Sequence, residues 1–183
     1  MKDTKSDILT FWFDETPPQL WFQINEDFDR SVRGRFAATY DLARLGSFDD
    51  WQNDPDGALA LCILYDQFPR NMFRGTARAY ESDRQGIVVA KMAIAKGFDQ
   101  VLQIPRRRFI YLPFQHSETL SDQKKSVTLF EKLRSDDPVS YEYAQRHFKV
   151  IERFGRFPHR NVMLSRTSTP EELAFLADVP KGY

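Results

Sequence analysis

The sequence predicts an all-α protein, a single domain over residues 1–183 built as a stack of antiparallel helical hairpins. Three observations predict it. Apolar residues recur at three- and four-residue intervals, capping residues stand before those runs, and glycine or proline stands after them. No alternating strand pattern is legible, and the Asp56-Gly57 pair falls at a helix start, not between β-branched runs. Helices joined by short turns imply antiparallel neighbours.

The elements follow in order. Phe28, Val32, Phe36, Tyr40 and Ala43 form one stripe, with Asn25 as its cap and Gly46 as its stop. Asp54 before Pro55 starts a second helix, and residues 58–65 are apolar on every side, as expected of a central, buried segment. A third runs from a Thr76 cap to Gly97, with Gly86 as a break within it. Pro105 opens a short helix carrying Phe109 and Leu112, which Pro113 closes. Ser121 starts the next, with Leu129, Phe130 and Leu133 inward. Asp137-Pro138 heads a helix whose apolar face is Ala144, His147, Phe148, Ile151 and Phe154, ending at Gly155. Thr169-Pro170-Glu171-Glu172 is a capping box heading the last helix.

Bulk properties exclude several function classes. Lys plus Arg equals Asp plus Glu at 26 each, so no general attraction to nucleic acid or an anionic membrane is expected. No apolar run reaches the roughly 18 residues a membrane span needs, and the stretch 8–13 is too short for a secretory core. The single cysteine, Cys62, forms no intrachain disulfide and fits a reducing compartment, so a cytoplasmic location is expected. The Walker loop, GxGxxG, GxSxG, HExxH and paired CxxC motifs are missing, and the histidines at 116, 147 and 159 are not at metal-ligating helical spacing. No cofactor or metal is expected.

Three polar clusters stand out: Asp66-Gln67-Phe68-Pro69-Arg70-Asn71-Met72-Phe73-Arg74; Phe114-Gln115-His116-Ser117-Glu118; and Arg153-Phe154-Gly155-Arg156-Phe157-Pro158-His159-Arg160-Asn161. The first and third share a Phe-Pro step, read as a helix end, followed by Arg-Asn. The echo suggests two equivalent turns lying close together. Arg70, Arg74, Arg156 and Arg160 have the planar fork that suits carboxylate or phosphate, and His116 and His159 add acid–base groups. On one reading Arg70, Asn71, Arg74, His116, Glu118, Arg156, His159, Arg160 and Asn161 line a pocket for an anionic small molecule or an acidic peptide. On a second, His116 or His159 transfers a proton while Glu118 orients it. On a third, Asp66, Glu118 and the arginines are structural staples, and exposed aromatics such as Trp21, Phe22 or Trp51 meet a partner. Elsewhere His147 reads as a core histidine, Cys62 as an inert core thiol and Arg106-Arg107-Arg108 as a solvated helix start.

Four ordered motifs carry a family resemblance: Ile8-Leu9-Thr10-Phe11-Trp12-Phe13, Leu64-Tyr65-Asp66-Gln67-Phe68-Pro69-Arg70-Asn71, Tyr111-Leu112-Pro113-Phe114-Gln115-His116-Ser117-Glu118, and the third cluster from Arg153 to Asn161. The chain resembles the bacterial domain-of-unknown-function 924 family over nearly its whole length. The resemblance implies a tetratricopeptide-like (TPR-like) helical fold and brings no activity, substrate or catalytic residue. Where that family often shows Met-Pro-Leu-Glu-His, this chain has Leu112-Pro113-Phe114-Gln115-His116, which leaves no carboxylate at position 115.

Overall fold

The structure, a computed structural model, describes residues 4–178. Among the described residues every regular element is helical, and no helix is long and apolar enough to cross a membrane. The chain divides into two compact units, the first ending at Pro113 and the second beginning at Phe114.

In the first unit, α1 (Lys5–Thr10) is an element the apolar stretch alone did not announce; the signal is Thr4, whose side chain and that of Asp7 form a reciprocal capping box. It runs on as a π-helical turn, Phe11–Glu15, that buries Phe11 and Trp12. A 3-10 turn, Pro18–Trp21, follows. Trp21 is buried, against the exposed position expected, because its Nε1–H donates to the Trp12 carbonyl at 2.8 Å and its ring packs on Trp12 and Phe109. Phe22 is 58% exposed, and Trp51 is half-buried against Phe48. Helix α2 (Glu26–Arg44) starts where Asn25 accepts from the Phe28 N–H at 2.9 Å, a cap worth about 1 kcal/mol, and buries the expected stripe. Gly46 (φ 82°) turns the chain away.

Helix α3 (Pro55–Cys62) is capped by Asp54, which accepts from the Gly57 N–H at 2.9 Å, and everything from Gly57 onward is buried. A β-carbon on Gly57 would fall 2.1 Å from the Trp51 carbonyl oxygen, so only glycine fits there. The helix widens into a second π turn, Ile63–Gln67, where the Phe68 N–H reaches back five residues to the Ile63 carbonyl. It then continues as α4 (Phe68–Met72), so Phe68-Pro69 opens a helical turn and does not end one. Proline fits because the first positions of a helix need no N–H partner.

Thr76 does not cap: its hydroxyl donates to the Phe73 carbonyl, and a 3-10 turn, Ala77–Tyr80, precedes α5 (Asp83–Ala95). The break lies at Glu81 and Ser82, where the Ser82 hydroxyl donates to the Tyr65 carbonyl at 2.7 Å. Gly86 sits inside α5, buried, where an added β-carbon would meet Tyr65, Asp66 and Pro113 at 3.5–3.9 Å. Gly97 (φ 72°) leads into α6 (Phe98–Val101). Helix α7 (Arg106–His116) runs through Pro113 rather than stopping there. The proline forfeits one helical hydrogen bond, but it is buried where Gly86 leaves room for it.

In the second unit, α8 (Leu120–Glu131) and α9 (Pro138–Phe154) are packed together over a short connection, a helical hairpin. Asp137 caps α9 through the Ser140 N–H, and Gly155 (φ 69°) closes it. On α9 Ala144, His147 and Ile151 are buried, while Phe148 and Phe154 are half-buried. Phe157-Pro158 again opens a turn, the 3-10 segment Pro158–Arg160. The Thr169 capping box of α10 (Pro170–Asp178) is present in both directions, Thr169 N–H to Glu172 at 2.8 Å and Glu172 N–H to Thr169 Oγ1 at 3.2 Å. Val150, Ile151 and Phe157, with Phe154 and Phe175, form an apolar core.

Candidate functional site

The three polar clusters fall in different units, the first in one and the second and third in the other, and each is satisfied differently. In the first unit the π turn of Ile63–Gln67 brings Asp66 and Gln67 inside. Gln67 Nε2–H donates to Asp66 Oδ2 at 2.6 Å. Arg70, on α4, donates to the Asp66 carbonyl at 2.6 Å and forks onto both oxygens of Asp83 at 2.8 and 3.0 Å. Burial opposes its charge, but Asp66 and Asp83 raise its pKa still further, so it is permanently cationic. Asn71 and Arg74 share Asp29 of α2: the amide donates at 2.8 Å, and the guanidinium forks onto it at 2.7 and 3.0 Å. Asp29 and Asp83 were not singled out by sequence reasoning, since neither lies near the cluster in the chain. Cys62 is buried, and burial with the nearby negative Asp66 pushes its thiol pKa well up, which makes it inert as a nucleophile.

The second unit assembles the second and third clusters around Arg166, which sequence reasoning did not weigh, and Glu172, which it placed only in the capping box of the last helix. Ser165 adopts the left-handed conformation (φ 53°), in the turn that presents Arg166. Arg166 forks onto Glu118 at 2.6 and 2.9 Å, and donates to the Phe157 carbonyl and to Asn161 Oδ1. Glu118 also accepts the Phe157 N–H at 2.8 Å. Burial works against its ionisation, yet Arg166, the Phe157 N–H and the charge of Arg160 hold its pKa below the ordinary carboxylate value. Glu172, on α10, receives Arg156 through two bonds of 2.7 and 2.8 Å, and Asn161 at 3.2 Å. Arg156, the Thr169 N–H and Asn161 draw its pKa down to about 2. Asn161 is fully buried and held by Ser168, Glu172 and Arg166, a structural crosspiece.

All three histidines of the chain gather in this unit. Their rings form a row with Phe157: His116 to His147 at 6.1 Å between centroids, His147 to Phe157 at 5.4 Å, Phe157 to His159 at 5.6 Å. The Arg160 guanidinium lies over the Phe157 ring at 4.5 Å. His147 is buried, as expected of a core histidine, and its Nδ1 lies 2.8 Å from the Tyr143 carbonyl. A carbonyl only accepts, so Nδ1 carries the proton. Burial, then the charges of His116, Arg160 and His159, lower its pKa to about 3. His116 and His159 are half-buried, within reach of solvent. Nearby, Gln123 donates to the carbonyls of Gln115 and Ser117, closing the end of α7. Gln115 Oε1, Gln123 Oε1 and Ser126 Oγ are buried without a hydrogen-bond partner among the described residues. Such atoms cost about 1–3 kcal/mol each. No group of three metal-ligating side chains forms among the described residues.

The chain matches the family of bacterial proteins of unknown function DUF924 over residues 8–179. It is similar to a solved structure, that of a protein of unknown function from Agrobacterium tumefaciens. The two are 38% identical, with 96% of this chain and 97% of that chain covered and a TM-score of 0.90. No curated protein matches the chain.

Proposed function

This chain belongs to the DUF924 family of bacterial proteins of unknown function, and on that premise we propose that its second unit binds an anionic small molecule at His116, His159 and Arg160. One observation carries the reading. His147 and His159 lie against the Phe157 ring, His116 lies beyond His147, and the Arg160 guanidinium lies over the same ring, so donors suited to an oxyanion are gathered in one place. A guanidinium forks onto an oxyanion and an imidazole N–H adds a further donor, which suits a phosphorylated or carboxylated metabolite.

Arg70, Asn71 and Arg74 belong in this reading to a structural staple, because aspartates of the first unit already meet their donors. Arg156 and Asn161 frame the site, and Glu118 holds its Phe157 backbone. The cytoplasmic location rests on the lone, buried Cys62, and the TPR-like stacking on the α8–α9 hairpin. A panel of phosphorylated and carboxylated metabolites screened by thermal shift tests the function, since a ligand of the native state raises the unfolding temperature by mass action. The expected result is a saturable shift that His159→Gln and Arg160→Gln abolish and Arg74→Gln leaves intact. A shift equal in all variants overturns the assignment.

A further inference from the structure

The first unit carries a cleft of about 180 Å³, room for roughly six water molecules at about 30 Å³ each. Along α1, Ser6 and Thr10 stand one turn apart on the same face, and the buried Leu9 beside them adds apolar surface. The rest of the lining is charged. Lys5 and Asp14 come from α1 and the π turn after it, Asp56 from the first turn of α3, and Arg106 from the start of α7. These two cations and two carboxylates balance, so the cleft favours neither anions nor cations as a class. They are engaged unequally. Lys5 is paired with Asp54. The Arg106 guanidinium lies over the Phe13 ring at 4.9 Å, a contact that orients the fork without using its N–H groups. Its approach to Asp56, at 3.9 Å, is beyond hydrogen-bonding distance. Asp56 already has the favourable end of α3 beside it, whereas Arg106 is a cation at a helix start, where the dipole favours an anion. The Asp14 carboxylate makes no ion pair or hydrogen bond among the described residues.

We propose that this cleft binds a small zwitterion, a free α-amino acid, with its carboxylate on the Arg106 fork and its ammonium on Asp14. The site is separate from the anion site of the second unit and stands without it. A carboxylate accepts two parallel N–H bonds from a guanidinium, and it brings to the start of α7 the negative charge that the helix end favours. An ammonium has three donors, which the Asp14 carboxylate and the Ser6 and Thr10 hydroxyls accept. Asp14 and Arg106 form no pair with each other, so the ligand has its place between them. Pockets for drug-sized ligands begin near about 300 Å³. The smaller volume here admits one amino acid with a short side chain, which meets Leu9, and excludes a peptide.

Glycine, L-alanine and L-serine are the probes, titrated into the whole protein and followed by amide NMR. The amides of Thr10, Asp14 and Arg106 are expected to shift saturably and in step. Acetate and methylammonium, which carry one charge each, are expected to bind at least about tenfold more weakly than glycine. Asp14→Asn and Arg106→Gln should each weaken glycine binding by about tenfold or more with the fold intact by thermal midpoint, since neither side chain is hydrogen-bonded in the unliganded protein. Arg106→Lys, which keeps the charge and loses the fork, should fall between Arg106→Gln and the unmodified chain. Lys132→Gln, at an exposed site of the second unit, should change nothing. Acetate binding as tightly as glycine, or an unchanged glycine affinity in Asp14→Asn, overturns the zwitterion. Absence of a saturable shift at the cleft with all three amino acids overturns the site.

Discussion

The turns Phe68-Pro69-Arg70-Asn71 and Phe157-Pro158-His159-Arg160-Asn161 share a pattern and meet different partners. Both place proline at the start of a helical turn, and both follow it with an arginine and an asparagine. In the first, every cation meets an aspartate from another helix: Arg70 on Asp83, Arg74 and Asn71 on Asp29. In the second, an extra histidine enters the pattern, and the nearby glutamates are held by Arg166 and Arg156. A shared motif therefore sets the backbone, and residues distant in the chain decide which partners its side chains meet.

The contrast breaks most readily at Asp66. Replacing it with alanine removes a buried carboxylate that meets Arg70 and Gln67 while Asp83 still pairs with Arg70, and we expect a loss of about 2–3 kcal/mol in urea unfolding. Anion binding in the second unit should survive wherever the fold does. Arg160→Gln gives the opposite pattern: a loss of about 1–2 kcal/mol for its contact with Phe157, together with disappearance of anion binding. If Arg160→Gln destabilises as much as Asp66→Ala and leaves binding unchanged, the two turns are both staples.

Acid titration separates the units in another way. His147 is neutral in the folded state, with a pKa near 3 against an ordinary value of 6.5, so below about pH 6.5 the unfolded chain binds a proton that the folded chain refuses. Stability is thus full above that pH and falls progressively toward pH 3. Glu172, at about 2, adds stability that is present above its ordinary value near 4.5 and is lost as pH drops toward 2. His147→Gln should flatten the loss between about pH 6.5 and 4.5, read from thermal midpoints; an unchanged slope would show that another group governs it. The smallest expected effect is at Thr169, where alanine removes one half of the α10 capping box and should cost about 1 kcal/mol in chemical unfolding without touching anion affinity.

Local signals in the sequence carried the helices well. The caps at Asn25, Asp54, Asp137 and Thr169 and the stops at Gly46, Gly97 and Gly155 are where the pattern placed them, because capping is chemistry between near neighbours in the chain. Proline at 69 and 113 misled: a rule about the missing N–H decides nothing when the residue sits at a first turn or is buried against a glycine. The candidate residues themselves were visible, but their partners were not. Asp29 lies 42 residues from Asn71, and Arg166 lies 48 from Glu118, distances at which only tertiary packing decides who meets whom. His147 was read correctly as buried; its place beside His116 came from tertiary packing within the second unit, which no local signal announces.

The π turn at Ile63–Gln67 has a consequence for the phase of the helix that carries the first cluster. An α-helix advances about 100° per residue, and a turn that closes on the fifth residue instead of the fourth inserts one extra step. Everything from Phe68 onward is therefore rotated relative to the face set by α3. Were the same residues wound as an unbroken α-helix, Arg70 and Asn71 would swing by about 100° away from Asp83 and Asp29, whereas deleting one residue within 63–67 would remove the wide turn and leave them on the face they now hold. The staple thus depends on one surplus residue being absorbed in a wide turn, so the information that places these side chains resides in a count of residues more than in their identity.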